Sequence, residues 1–252
     1  MEFCAEIKNL TVRFNGETVL DDITANFAKR GITVLLGRSG SGKTTLLRAV
    51  NRLNENFPGY EGEGSVRIAL AGAIREIYGK GAPEAARIRH GAGMVFQSPN
   101  PLPLSLKKNM LLPMELVLGI KGAEAEARME KYLRGVGLWE EVKDRLNAGA
   151  LSFSGGQQQR MCLARILALE PDMLLLDEPT ASLDKKSSEV IEELLKKLEE
   201  RMPIIMVSHS LAQAKKLGAH FKLMSGGRIV KEFEREELPR GKDTETFLEE
   251  LL

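Results

Sequence analysis

The sequence predicts an α/β fold: a mainly parallel sheet, an antiparallel β edge subdomain in front of it and an α-helical subdomain inserted into it. Three observations point there. The runs ITVLLG at 32–37 and MLLLDE at 173–178 are continuously apolar and end in glycine or carboxylates, the pattern of strands buried on both faces. Stretches of helical periodicity separate such runs, and alternation of strand and helix builds a parallel sheet. Residues 3–27 instead alternate apolar and polar around Asn15-Gly16, which reads as short antiparallel strands joined by a tight turn.

The remaining elements follow in order. Residues 44–54 have helical spacing, so with 32–37 they form the front half of a βαβ unit. Residues 58–64 are turn-rich, and the strands at 65–72 and 93–97 bracket a loop or short helix at 83–89. Between Gln97 and Gly149 the texture changes to proline punctuation and then helical periodicity at 123–138 and 139–146, which reads as a helical insert. A helix at 157–170 is stopped by Pro171. The helix at 187–202 gathers Val190, Ile191, Leu194, Leu195 and Leu198 into one apolar stripe, and a strand follows at 203–209. Residues 222–233 read as a hairpin through Gly226-Gly227, and an acidic amphipathic tail runs to Leu252. One domain over 1–252 is expected, with 1–96 and 151–252 forming the α/β core and 97–150 the helical subdomain.

Composition narrows the function classes. With 36 basic and 35 acidic residues in 252, no global field gathers nucleic acid or anionic lipid. Apolar and charged fractions of 43% and 28% exclude a disordered chain. Cys4 and Cys162 are too few and too far apart for a disulfide framework or a zinc site. No apolar run reaches the roughly 18 residues that cross a bilayer; the best stretch, 110–120, is cut by Pro113 and Glu115. The first residues show no basic-then-apolar signal pattern, so the expectation is a cytosolic protein unless a partner holds it at a membrane.

The chemistry sits in short motifs. Gly37-Arg38-Ser39-Gly40-Ser41-Gly42-Lys43-Thr44, followed by Thr45, fits G-x-x-x-x-G-K-[ST] between a strand and a helix, the context a phosphate-binding P-loop needs. Glycines let backbone N–H groups curl around phosphate oxygens, Lys43 reaches the β and γ phosphates, and Thr44 can ligate magnesium. Asp177 and Glu178 end a buried strand at its carboxyl side, where open α/β sheets bind ligands. Asp177 would hold magnesium and Glu178 would activate the attacking water. Ser154-Gly155-Gly156-Gln157 offers a second anion cradle: Ser154 can cap the following helix while the two glycines leave their N–H groups open.

In this order the P-loop, Gln97, SGGQ, LLLDEP, S-L-D and His209 resemble the nucleotide-binding subunit of an ABC transporter, over nearly the whole chain. The resemblance implies ATP and Mg²⁺ as cofactors. It makes Phe14 the aromatic that stacks on adenine, Gln97 the residue that senses the γ-phosphate and the metal, Asp184 the D-loop aspartate and His209 the switch histidine. It also implies that ATP is held between the P-loop of one copy and the SGGQ segment of a second, at the cytoplasmic face of the inner membrane. The other implied partners are two transmembrane permease subunits and, through them, an extracytoplasmic solute-binding protein. His90 and His220 have no such support and read as structural.

Three stretches, at 51–66, 93–105 and 154–165, further resemble the ATPase subunits of phosphate importers, the run Gln97-Ser98-Pro99-Asn100-Pro101-Leu102-Pro103 most of all. Arg38 stands in place of the usual proline, Phe153 in place of leucine, and Ala181-Ser182-Leu183-Asp184 in place of Ser-Ala-Leu-Asp. These departures leave the ATPase residues intact. An importer of amino acids or another oxyanion is the alternative cargo, and a soluble ABC ATPase the alternative class. A nucleic-acid partner is disfavoured, because the segment between Gln97 and Ser154 is short and carries no heptads for a coiled-coil insertion.

Overall fold

The computed structural model describes residues 3–238, and the acidic stretch at 239–252 lies outside them. β1 (Phe3–Phe14) and β2 (Glu17–Ala28) pair antiparallel about Asn15-Gly16, whose φ values of 50° and 81° are the left-handed pair a tight hairpin demands. β3 (Ile32–Leu36) is wholly buried and leads through the glycine loop into α1 (Lys43–Ala49). That helix is shorter than its spacing suggests. Asn54 bonds back to the Thr45 carbonyl and Asn51 to the Leu53 N–H, side-chain contacts that compete with continuation of the helix.

The turn expected at 58–64 is confined to Pro58-Gly59; β4 (Tyr60–Leu70) takes the rest, and Glu61, Gly62 and Glu63 pair with β1. The glycines mark a bulge rather than a chain reversal, with Asn9 and Leu10 of β1 opposite the single Gly64. Gly64 has φ +102°, and a Cβ there would stand 2.4 Å from the Asn9 carbonyl oxygen. β5 (Ala73–Glu76), α2 (Ala85–Gly91) and β6 (Ala92–Val95) follow.

The insert contains α3 (Leu106–Pro113), which runs on into a π turn over Met114–Leu118, then α4 (Gly122–Gly135) and α5 (Trp139–Val142). The chain then alternates through α6 (Gly155–Leu167), β7 (Met173–Asp177), α7 (Lys185–Leu198), β8 (Ile204–Val207), α8 (Leu211–Leu217), β9 (His220–Ser225) and β10 (Arg228–Glu234). Among the described residues no helix is long and apolar enough to cross a membrane.

Two sheets result. One is antiparallel, in the order β2-β1-β4-β5; the other runs β10-β9-β3-β8-β7-β6, parallel except for the β9–β10 hairpin at its edge. The parallel sheet divides two apolar cores. Leu174 and Leu176 of β7 pack with the insert, α6 and α7, whereas Met173 and Leu175 pack with α1 and the antiparallel sheet. On α7, Ile191 and Leu195 are buried, with Val190, Leu194 and Leu198 half-buried beside them.

Cys4 and Cys162 are free and buried, one in each core. Burial pushes the Cys4 thiol up to about 12 and raises Cys162 as well. Only the thiolate is nucleophilic. Iodoacetamide at pH 8 is therefore expected to leave both unmodified in the folded protein and to alkylate both in denaturant, read by intact mass. Rapid labelling of the native chain at either position would contradict this burial.

Candidate active site

The chemistry-bearing residues collect because they follow the carboxyl ends of parallel strands. β3 delivers the glycine loop, β6 delivers Gln97, β7 ends in Asp177 and Glu178, and β8 delivers His209. Gln97, Glu178 and His209 line one cavity of about 220 Å³ with Ser39, Gly40, Gly42, Lys43, Thr44 and Thr45.

Sterics explain two of the loop's glycines. Gly37 has φ +146°, and a Cβ there would stand 2.3 Å from the Met224 carbonyl oxygen. Gly42, at φ +98°, caps α1 and has no room for a Cβ beside Leu20. Lys43 is buried and donates to the carbonyls of Gly37 at 2.7 Å and Arg38 at 2.8 Å, and to the Ser41 hydroxyl at 3.4 Å. Desolvation lowers its pKa, while the charges of Glu178 and Asp177 push the other way. Arg38 itself points to solvent and contributes only that carbonyl.

The Thr44 hydroxyl, from a residue on the cavity wall, donates to Asp177 Oδ1 at 3.1 Å, while Asp177 itself does not line the cavity. Burial raises the Asp177 pKa, opposed by that bond and by the nearby Arg48, Lys43 and His209. A hydroxyl and a carboxylate, with the Gln97 amide at the same cavity, are hard oxygen donors that suit magnesium. Among the described residues no group of three or more His, Cys, Asp or Glu is arranged to hold a metal ion by itself. A magnesium ion that keeps waters and substrate oxygens fits this donor set.

Glu178 has φ +48°, uncommon for a residue with a side chain, and its N–H is tied to the Val207 carbonyl at 3.1 Å. Its carboxylate lies 3.0 Å from His209 Nε2. His209 is exposed, so this pair faces whatever enters the cavity.

The second cradle stands apart from the first: none of Ser154, Gly155, Gly156 or Gln157 lines the P-loop cavity. Ser154 caps α6, with its hydroxyl oxygen accepting from the Gln157 N–H at 3.3 Å and its own N–H donating to Gln157 Oε1 at 3.0 Å. A Cβ at Gly155 would meet nothing within 4 Å, so that face is open. Asp184 caps α7, and hydrogen bonds from the Ser187 N–H and hydroxyl hold its carboxyl below the usual range. Phe14 ends β1 in a small aromatic cluster with Phe57 and Tyr60, with Arg48 of α1 stacked on Phe57, and does not line the P-loop cavity. His90 and His220 serve the fold, contacting the Leu169 carbonyl and Glu234.

Several supporting residues escape a reading of the sequence. Gln159 is buried and donates to the Phe96 carbonyl at 2.8 Å, tying α6 to the residue before Gln97. Gln213 links Ser208 to Thr180 behind the Glu178–His209 pair, at 2.9 and 2.7 Å. Each is an ordinary polar residue in a helical stretch, and only the fold reveals its partner.

The family model described as ABC transporter matches residues 20–181. The phosphate import ATP-binding protein PstB 2 of Mycobacterium tuberculosis is 43% identical over 230 residues, covering 91% of this chain and 81% of its own length. PstB of Idiomarina loihiensis is 39% identical over 247 residues, covering 96% and 89%. Among solved structures, a dimeric ATP-binding cassette in a post-hydrolysis state with ADP and Pi shares the fold at a TM-score of 0.76 and 31% identity, over 92% of this chain and 98% of that one. The matched span runs from β2 through the glycine loop and α6 to just beyond Glu178, and on these grounds the chain belongs to the ABC transporter family.

Proposed function

We propose that this chain is the ATP-hydrolysing subunit of a phosphate importer, working as a dimer of two copies beneath two transmembrane permease subunits that receive phosphate from an extracytoplasmic binding protein. The observation that carries the ATPase reading is the convergence of Lys43, Thr44, Gln97 and the Glu178–His209 pair on one cavity at the strand ends, with Asp177 hydrogen-bonded to Thr44. Phosphate as cargo is supported by relatives named as phosphate import proteins at 39–43% identity over most of the chain. Nothing in the site itself touches the cargo. The place of action is the cytoplasmic face of the membrane.

Phosphoryl transfer to water needs positioning and charge neutralisation more than covalent help. Glu178 accepts the proton of the attacking water, and His209, 3.0 Å from it, orients that carboxylate and donates toward the terminal phosphate. Lys43 turns its donors from the loop carbonyls to the phosphate oxygens. Magnesium, held by Thr44 and Asp177 with Gln97 alongside, supplies further neutralisation of phosphate charge when bound. Ser154 and the Gly155 and Gly156 amides of the second copy complete the ring of donors. Each preorganised donor lost costs about 3 kcal/mol in the barrier.

Reconstitution tests the cargo. The chain, co-purified with its permeases into lipid vesicles, is expected to hydrolyse ATP several-fold faster when binding protein loaded with phosphate is supplied on the far side. Equal stimulation by a binding protein loaded with an amino acid, and none with phosphate, would overturn the phosphate reading while leaving the ATPase intact.

A further inference from the structure

Behind the open end of α6 lies a chain of hydrogen bonds that reaches into the helical insert. Glu141, on α5, grips Arg160 with both carboxylate oxygens, at 2.7 and 2.9 Å, and its Oε2 also accepts from Gln157 Nε2 at 3.0 Å. Arg160 is buried and donates as well to the Gly137 carbonyl at 2.8 Å. Gln157 is the residue whose side-chain oxygen holds the Ser154 N–H and whose own N–H is held by the Ser154 hydroxyl.

We propose that Glu141 is a positioning residue of the composite ATP site: it fixes Gln157 so that Ser154, Gly155 and Gly156 present their donors to the phosphate of a nucleotide bound by the other copy. The proposal rests on the dimer reading above. The argument is one of donor and acceptor inventory. An ionised carboxylate has no proton to give, so only the NH₂ end of the Gln157 amide can face Glu141. The carbonyl end must then point back to the Ser154 N–H, which locks the capping box in one orientation. With the Ser154 oxygen accepting from the Gln157 N–H, its hydroxyl proton is left free to donate, beside the face that Gly155 leaves open.

Arg160 has a second use in this arrangement. A bare carboxylate beside an anion cradle repels the anion it serves. The two-point pairing with Arg160 cancels that charge, so Glu141 works as an acceptor alone. The pairing also ties α5, in the insert, to the first turns of α6, so the cradle's orientation follows the insert's position.

The test uses the full chain carrying Glu178→Gln, expected to hold ATP with turnover lowered about a thousandfold. Glu141→Gln in that background keeps the side chain's size but brings an NH₂ group against donors that all require acceptance. Monomer affinity for ATP, read with a fluorescent analogue at high dilution, is expected to stay within twofold. The dimer dissociation constant with ATP and magnesium is expected to rise about tenfold or more, the scale of a lost hydrogen bond to a charged group. The neighbouring Glu140→Gln, an equal loss of charge, should leave both values unchanged. In a Gln157→Ala background the Glu141→Gln effect should disappear, because Glu141 then has no amide to orient. A tenfold effect that persists there, or a dimer constant unmoved by Glu141→Gln, overturns the proposal while the dimer reading stands. A Glu178→Gln parent that stays monomeric with ATP overturns both.

Discussion

Glu178→Gln is expected to bind ATP and dimerise with wild-type affinity while its turnover falls about a thousandfold, the usual span of a lost general base. The substitution changes one oxygen of the carboxylate into an NH₂ group and little else. Its remaining Oε1 can still accept from His209 Nε2, at the 3.0 Å the pair now has, so the cavity wall keeps its shape. The backbone at 178 stays in its left-handed conformation, because the tie to Val207 does not involve the side chain. What disappears is the site that accepts the water's proton, a barrier increase of about 4 kcal/mol. Phosphate release and size-exclusion chromatography with ATP and magnesium check the two halves. Normal turnover would remove Glu178 from its role.

Lys43→Ala is expected to weaken ATP binding by about a thousandfold, since cutting one partner of a buried, hydrogen-bonded charge pair costs several kcal/mol. Lys43 is the one cation buried in the loop, where desolvation lowers its pKa and the charges of Glu178 and Asp177 oppose that. Its loss leaves the triphosphate facing two carboxylates without that counter-charge. Folding should suffer far less, because alanine removes the buried charge that costs solvation along with the bonds to Gly37 and Arg38. Arginine is not a substitute: its rigid fork does not reproduce a compact ammonium seated among two carbonyls and a hydroxyl. Nucleotide titration and thermal melting check these expectations, and near-native affinity in Lys43→Ala would overturn them.

Much of this was legible in the chain. The glycine loop, Asp177-Glu178 and His209 each follow an apolar run, and a run that ends abruptly in glycine or charge marks the end of a buried strand. Strand ends are where the site forms, so the pattern that predicts the sheet also predicts its ligand edge. Glycine misled where its two meanings diverge: Gly59 does sit in a turn, whereas Gly64 signals close approach of β1 and β4. The capping role of Ser154 followed from its neighbours, whereas Glu141 did not, because its partners lie on another helix. Gln157, Gln158 and Gln159 show the limit most clearly. One letter repeated three times holds Ser154, the Phe153 carbonyl and the Phe96 carbonyl, since each step of about 100° around α6 aims at a different neighbour.

The alternation of β7 between two cores has a mechanical consequence. Its odd and even side chains are moored to opposite halves of the molecule, so the strand behaves as a keel shared by both. Tilting of the insert on one side or of the antiparallel sheet on the other meets resistance at this strand from the opposite flank. Asp177 and Glu178 sit at its tip, and β3 and β8 beside it alternate between the same two cores.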